Sequence, residues 1–427
     1  MLTLQEEVDE LRVYSGAIQG VRATDDPFIV KLMQLLFSHA VKVQASDIHV
    51  EPIRSGARVR YRIDGLLHEM LRVGEDVRDP LIRALKTQAN LTTEAVGRSK
   101  PQDGRVNAEV AGKLLDLRFS SFPTLFGDVI AIRVLDRSAQ RLKLEQMGFS
   151  AEVLQQFERL IRKPSGFLLV VGPTNSGKTT TLYAALERIQ SPQVKVVTLE
   201  DPIEYQMEWV DQAQINPIAG LTFASGLRAI LRQDANVILV GEIRDTETAD
   251  IAVRAALTGH LVLSTLHTRH ACGAITRLLD MKIEPHLIAS SLSGVLALRL
   301  VRLVCRGCQA PDPAVEPVYA KLLADATQQL PATGESGRAP AAPTFVRGQG
   351  CAACNGTGYH GRIGLFELLV MHEQMRSSLL ERSSSGLFQA ALAAGLRPIL
   401  LDGLEKAARG LTTMSEVLRV IGESDEQ

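Results

Sequence analysis

Residues 167–182 read FLLVVGPTNSGKTTTL. Five apolar residues, a loop of glycine, proline and small polar side chains, and then a lysine opening a helical run predict strand, loop and helix in immediate succession. Gly172, Gly177, Lys178 and Thr179 match G-x-x-x-x-G-K-[ST] in the strand-to-helix setting that this motif requires. Gly172, Pro173, Thr174, Asn175, Ser176 and Gly177 form a turn whose glycines let backbone N–H groups point inward at phosphate oxygens. Lys178 adds a point charge, the Thr179 hydroxyl is a Mg²⁺ ligand, and Thr180 follows in the first helical turn, at the positive end of the helix dipole. ATP and Mg²⁺ are the expected ligands.

Outward from this stretch the same grammar recurs. VKVVTLEDP (194–202), NVILVGEI (236–243) and HLVLSTLH (260–267) are short apolar runs separated by helical stretches, which indicates a mainly parallel, doubly wound sheet, an α/β fold. In such a sheet the C-terminal strand ends converge on the ligand. Glu200 ends one strand, with Asp201 and Glu204 just beyond. Gly241 stands where a magnesium-binding aspartate is expected, with Glu242 immediately after it. Glu242, one position later and one carbon longer, is expected to reach the metal, and Glu200 to orient or deprotonate the attacking water. His267 lies on the tip of the fourth strand and is expected to sense the γ-phosphate, while His260 precedes that strand.

Upstream, over 26–136, the period is two. ARVRYRIDG (57–65) places Val59, Tyr61 and Ile63 opposite Arg58, Arg60 and Arg62, and Asp64-Gly65 is a hairpin signal. KLLDLRFSS (113–121) and DVIAIRVLD (128–136) repeat the alternation with Arg118 and Arg133 among the polar positions. This predicts a small α+β domain with an arginine-bearing outer face. It follows a polar amphipathic start (1–25), and a linker (137–150) joins it to the P-loop domain (151–427).

Five cysteines occur, four of them as C-x-x-C pairs: Cys305 with Cys308 and Cys351 with Cys354. In a reducing compartment this set favours a closed, structural Zn²⁺ site over disulfides. The insert (305–354) holds an Ala/Pro-rich stretch read as a short helix flanked by mobile linker. Residues 363–427 read as helical.

Lys and Arg total 47 against 48 Asp and Glu, and 4% of residues are aromatic, so neither the basic tracts nor the stacking platforms of a nucleic-acid translocase are present. The acidic start MLTLQEEVDELR lacks a signal-peptide pattern, and the apolar stretch 287–304 is interrupted by Ser, Gly, Arg299 and Arg302, so no transmembrane segment is expected. A nucleic-acid translocase and a regulatory subunit that binds nucleotide without hydrolysing it remain alternative readings.

The P-loop, the acidic TLEDPIEY (198–205), ILVGEIRD (238–245) and TGHLVLSTLHT (258–268) occur in an order that resembles the hexameric ATPases of the secretion superfamily. ASDIHVEP (45–52), RVRYRIDG (58–65), PQDGRV (101–106), GRIGLFELL (361–369) and GLTTMSEVLRV (410–420) narrow the resemblance to the assembly ATPases of type II secretion, with type IV pilus extension ATPases as the alternative. The resemblance implies a RecA-like P-loop domain after a PAS-like one, and a homohexamer that powers pseudopilus assembly. It also implies a place at the cytoplasmic face of the bacterial inner membrane, held peripherally through platform proteins, with no nucleic-acid partner. Arg105, Arg118 and Arg133 of the first domain, with Arg60 and Arg62 behind them, would complete the nucleotide site. Members often carry a further N-terminal docking domain, where about 25 residues precede the first domain here. TLHTRHACG (265–273) departs from the family's usual sequence after the histidine.

Overall fold

The computed structural model describes residues 4, 26–93, 100–136, 142–328, 343–380 and 384–422. Apart from Leu4, the amphipathic start lies outside the described residues, as do 137–141 of the linker and 329–342 of the expected mobile segment. The chain divides into two compact units, Met1–Gln140 and Arg141–Gln427.

The first unit opens with α1 (Pro27–Lys42), whose start is set by Pro27 and by the Asp26 carboxylate accepting from Phe28 N at 2.8 Å. Strands β1 (Asp47–Ile53), β2 (Gly56–Ile63) and β3 (Leu66–Val73) follow, then α2 (Glu75–Gln88), β4 (Gln102–Val110), β5 (Lys113–Thr124) and β6 (Gly127–Asp136). They form one antiparallel sheet in the order β3-β2-β1-β6-β5-β4. Asp64 (φ 48°) and Gly65 (φ 90°) make the tight β2–β3 turn that the sequence signalled. Alternation then does the rest. Val59, Tyr61, Leu115, Leu117 and Phe119 are buried in a core shared with α1 and α2, and the other face carries the arginines.

The second unit is built on a seven-stranded sheet, order β15-β12-β7-β11-β10-β8-β9. After α3 (Ala151–Ile161) the chain runs through β7 (Gly166–Val171), α4 (Lys178–Ile189), β8 (Val196–Glu200), β9 (Val210–Gln214), α5 (Phe223–Ile230), β10 (Val237–Val240), α6 (Thr246–Leu257), β11 (Leu261–Leu266), α7 (Ala271–Asp280) and α8 (Pro285–Ser291). It continues as β12 (Leu292–Val304), β13 (Gln309–Pro311), α9 (Glu316–Gln328), β14 (Val346–Gly348), β15 (Tyr359–Val370), α10 (Glu373–Leu380), α11 (Ser384–Ala393), α12 (Ile399–Ala408) and α13 (Met414–Gly422). β7 is buried along its whole length and feeds two cores at once. Phe167, Leu169 and Val171 pack with α5–α8, and Leu168 and Val170 pack with α3 and α4. Helices on both faces of parallel strands explain why these runs are continuously apolar.

One element corrects the sequence reading. Residues 363–370 are strand, not helix, because GRIGLFELLV pairs antiparallel with β12 from Ile363↔Val301 to Val370↔Gly294. The interrupted run 287–304 divides between α8 and the 13-residue β12, which pairs with β7 on its other edge.

Candidate functional site

The loop after β7 is shaped by close approaches. A Cβ at Gly172 would meet Leu298 O at 2.5 Å and Ser176 Oγ at 2.6 Å, and Gly177 (φ 97°) turns the chain into α4. Pro173, Thr174 and Asn175 are exposed on the turn, Ser176 is buried behind it, and Thr179 and Thr180 are exposed in the first turn of α4. Lys178 is buried and donates from Nζ to Gly172 O at 2.9 Å and Pro173 O at 2.8 Å. Burial brings its ammonium down to about 8, with Glu242 opposing and Arg299 adding to the shift.

The ends of β8, β10 and β11 bring a charged cluster to the same rim. Glu242 pairs with Arg244, and His267 Nε2 lies 3.7 Å from Glu242 Oε2. Arg244 also lies 3.9 Å from Asp201 at the neighbouring strand tip. Burial, reinforced by Lys178 and Arg244, holds the His267 imidazole below its ordinary value against the pull of Glu242. The structure therefore places Lys178, Glu242 and His267 within electrostatic reach of one another, at the side of the sheet where a doubly wound fold binds ligands.

Glu200 stands apart from that cluster. It is 3% exposed, and its oxygens accept from the Tyr183 hydroxyl, from Thr198 Oγ1 at 2.5 Å and from Gln212 Nε2 at 3.3 Å. Tyr183 lies on α4, so this carboxylate is tied to the P-loop helix, and burial followed by Glu200 itself pushes the phenol far above its ordinary range. Tyr183, Arg244, Arg299 and Glu367 were not singled out as site residues from the sequence. The signal for two of them was present: Arg244 stands two residues after Glu242, and Arg299 is a charge inside an apolar run. His260 lies at the far end of β11, its Nδ1 3.0 Å from Ala255 O at the end of α6.

Residues 22–419 match the family model described as "Type II/IV secretion system protein". The chain belongs to this family. It is 45% identical over 94% of its length to the Type II secretion system protein E of Pectobacterium carotovorum subsp. carotovorum, covering 77% of that protein. It is 42% identical over 95% of its length to the Type II secretion system ATPase E of Vibrio cholerae, again covering 77%. Among solved structures, the Legionella pneumophila ATPase DotB superposes with a TM-score of 0.65 over 92% of this chain and 96% of that one, at 21% identity, which speaks to the fold alone.

In this secretion-family chain the arginines of the first unit form a register of their own. Arg105, Arg118, Arg133, Asp47 and Arg62 are successive cross-strand partners over β4, β5, β6, β1 and β2. Arg105 grips the fully buried Asp116 with two bonds of 2.7 and 2.5 Å, Arg118 lies 3.9 Å from the same carboxylate, and Arg133 lies 3.5 Å from Asp47. Arg60 pairs with Glu51 at 2.5 Å.

The insert of this family member is closed at its base by the β13–β14 ribbon, where Gln309 faces Gly348. That ribbon brings the two distant cysteine pairs together, and the four sulfurs all lie within 4.8 Å of one another. Three of the separations are 3.7–3.8 Å, and sulfurs about 2.3 Å from a central zinc would stand about 3.8 Å apart. The N–H groups of Gly350, Cys351 and Gly358 donate to Cys308 and Cys354 at 3.2 Å, as thiolate ligands require. Burial raises the Cys354 thiol, but the donors from Cys351 and Gly358 outweigh it and bring it down to about 6. The donor set fits zinc.

Proposed function

We propose that this secretion ATPase hydrolyses ATP as a homohexamer and couples hydrolysis to pseudopilus assembly and protein export by a type II secretion system. It works peripherally at the cytoplasmic face of the inner membrane, held there by platform proteins. The membrane contact is indirect in this reading. The observation that carries the reading is the meeting of Lys178, Glu242 and His267 at the strand ends beside the phosphate-binding turn, in a chain 45% identical to a Type II secretion system protein E.

Each role follows from the physics of its group. The amides of residues 172–177 and the N-terminus of α4 receive the phosphates, and Lys178 exchanges its two carbonyl partners for phosphate oxygens. Thr179 and Glu242 are the groups that would hold Mg²⁺, which supplies charge neutralisation on the phosphates. Glu200, tied to α4 through Tyr183, orients the attacking water, and His267 senses the γ-phosphate. Arg105, Arg118 and Arg133 offset charge growing on the transferred group. Cys305, Cys308, Cys351 and Cys354 hold a structural Zn²⁺.

The test is phosphate release. Lys178→Ala is expected to lose ATP turnover while circular dichroism and thermal melting stay like wild type, and Glu242→Gln to retain nucleotide binding without turnover. Undiminished hydrolysis by Lys178→Ala would remove the assignment.

A further inference from the structure

We propose that Glu367 and Arg299 are positioning residues for ATP hydrolysis, a buried pair that fixes the loop between His267 and α7 and ties it to the C-terminal helix α12. The proposal rests on the ATP-site reading above and goes beyond it to residues that make no contact with nucleotide.

Glu367 lies on β15 and is 3% exposed. Its two oxygens are used separately. Oε1 accepts from Ala271 N at 2.7 Å and Oε2 from Ile399 N at 3.1 Å. Ala271 and Ile399 are the first residues of α7 and α12, so one carboxylate caps two helices that are far apart in sequence and sits at the positive end of both dipoles. Arg299 lies on the facing strand β12, diagonal to Glu367 in the ladder, where Glu367 faces Ala297 and Arg299 faces Leu365, and it is 5% exposed. Arg299 donates to Arg269 O at 2.6 Å and to Leu298 O at 3.2 Å. Burial raises the Glu367 carboxyl and lowers the Arg299 guanidinium, while each charge favours the other.

The consequence lies in what those backbone groups belong to. Arg269 and Ala271 are the end of the loop that leaves β11 through His267, and the pair holds that loop at two successive points, one carbonyl and one N–H. Leu298 O is the carbonyl against which Gly172 of the phosphate turn packs. The same two side chains thus set the histidine loop, the floor of the phosphate turn and the start of α12 relative to one another. Two opposite charges buried near each other contribute little net stability compared with apolar packing, so the value of these two lies in the backbone groups they hold. Misplacing a group at a reacting centre costs rate without removing the ability to bind substrate.

Glu367→Gln separates geometry from packing. An amide has one acceptor oxygen, so its NH₂ must face either Ala271 N or Ile399 N, donor against donor, and one anchor opens while the side chain keeps its shape. In the full-length enzyme we expect kcat to fall on the order of 10- to 100-fold with KM for ATP within about twofold of wild type. Combined with His267→Ala, the double variant should lose no more than the worse single variant, because both act through one loop. Wild-type kcat in Glu367→Gln, a matched rise in KM, or losses that multiply in the double variant would each overturn the proposal. Should Glu367→Gln fail to fold, Arg299→Gln, which weakens the hold on Arg269 O and Leu298 O and removes the charge near Glu367, carries the same test with the same outcomes. An active Lys178→Ala would sink the ATP-site reading itself, whereas an inactive Lys178→Ala beside a wild-type Glu367→Gln would sink this inference alone.

Discussion

Gly241 occupies the position where a nucleotide-binding strand ordinarily carries its metal-binding aspartate, and local packing accounts for the glycine. Its N–H continues the ladder to Leu199 O at 2.8 Å, and a Cβ built on it would stand 3.3 Å from that oxygen and 3.4 Å from Glu200 Cα. A side chain there must push β8 and β10 apart by a few tenths of an ångström at the point where both present their carboxylates. The carboxylate is displaced by one residue instead, to Glu242, where Arg244 and His267 meet it. Moving it back is therefore expected to fail. In a Glu242→Gln background, Gly241→Asp should leave phosphate release at the Glu242→Gln level and lower thermal stability by about 1 kcal/mol, the order expected for overpacking a half-buried position between two strands. Recovery to within about tenfold of wild-type turnover would show that position 241 accepts the metal-binding role after all.

At the scale of elements, the tetracysteine insert shows how a long-range constraint is closed by very little structure. The ribbon β13–β14 has three residues a side, and Gly348 approaches Gly358 so closely that a Cβ would stand 1.9 Å from Gly358 O. Such a ribbon buries little, and a metal held by the four cysteines would supply folding energy to the knuckles. Purified under reducing conditions, the chain is expected to carry about one zinc; chelation or Cys351→Ser should expose residues 305–311 and 346–358 to hydrogen exchange while β7, β10 and β11 stay protected. Unchanged exchange after chelation would refute a structural metal. The same scale shows what the sequence made legible. β7, β8, β10 and β11 were readable because each is a short apolar run ended by a glycine, an acid or, for β11, His267, and the β2–β3 hairpin because Asp64-Gly65 demands positive φ. β12 and β15 were not, since Arg299 and Glu367 break their apolar pattern. The reason for those charges lies with partners 30 and 96 residues away in the chain. Glu200 was readable as a strand-end acid, but its hold on Tyr183 was not, because periodicity gives the face of a helix and not the partner of a hydroxyl.

Across the whole molecule, the first unit carries a row of arginines whose role a substitution can test. Arg105, Arg118 and Arg133 are direct cross-strand neighbours, and like charges in that relation repel. Asp116 and Asp47 lie against these arginines and offset that repulsion. In the proposed function this row of cations offsets charge growing on the γ-phosphate as it transfers. Arg118 is the sharpest probe because it has an arginine on either side. Arg118→Ala removes both repulsions and leaves Arg105 gripping Asp116, so thermal stability should stay within about 0.5 kcal/mol of wild type or rise. If the row serves hydrolysis, kcat of the assembled enzyme should nonetheless fall on the order of a hundredfold or more, with little change in nucleotide affinity, since an arginine that acts on developing charge contributes mainly in the transition state. Stability retained together with turnover lost assigns the row to catalysis. Turnover retained, with or without a change in stability, assigns it to the surface of the first unit alone.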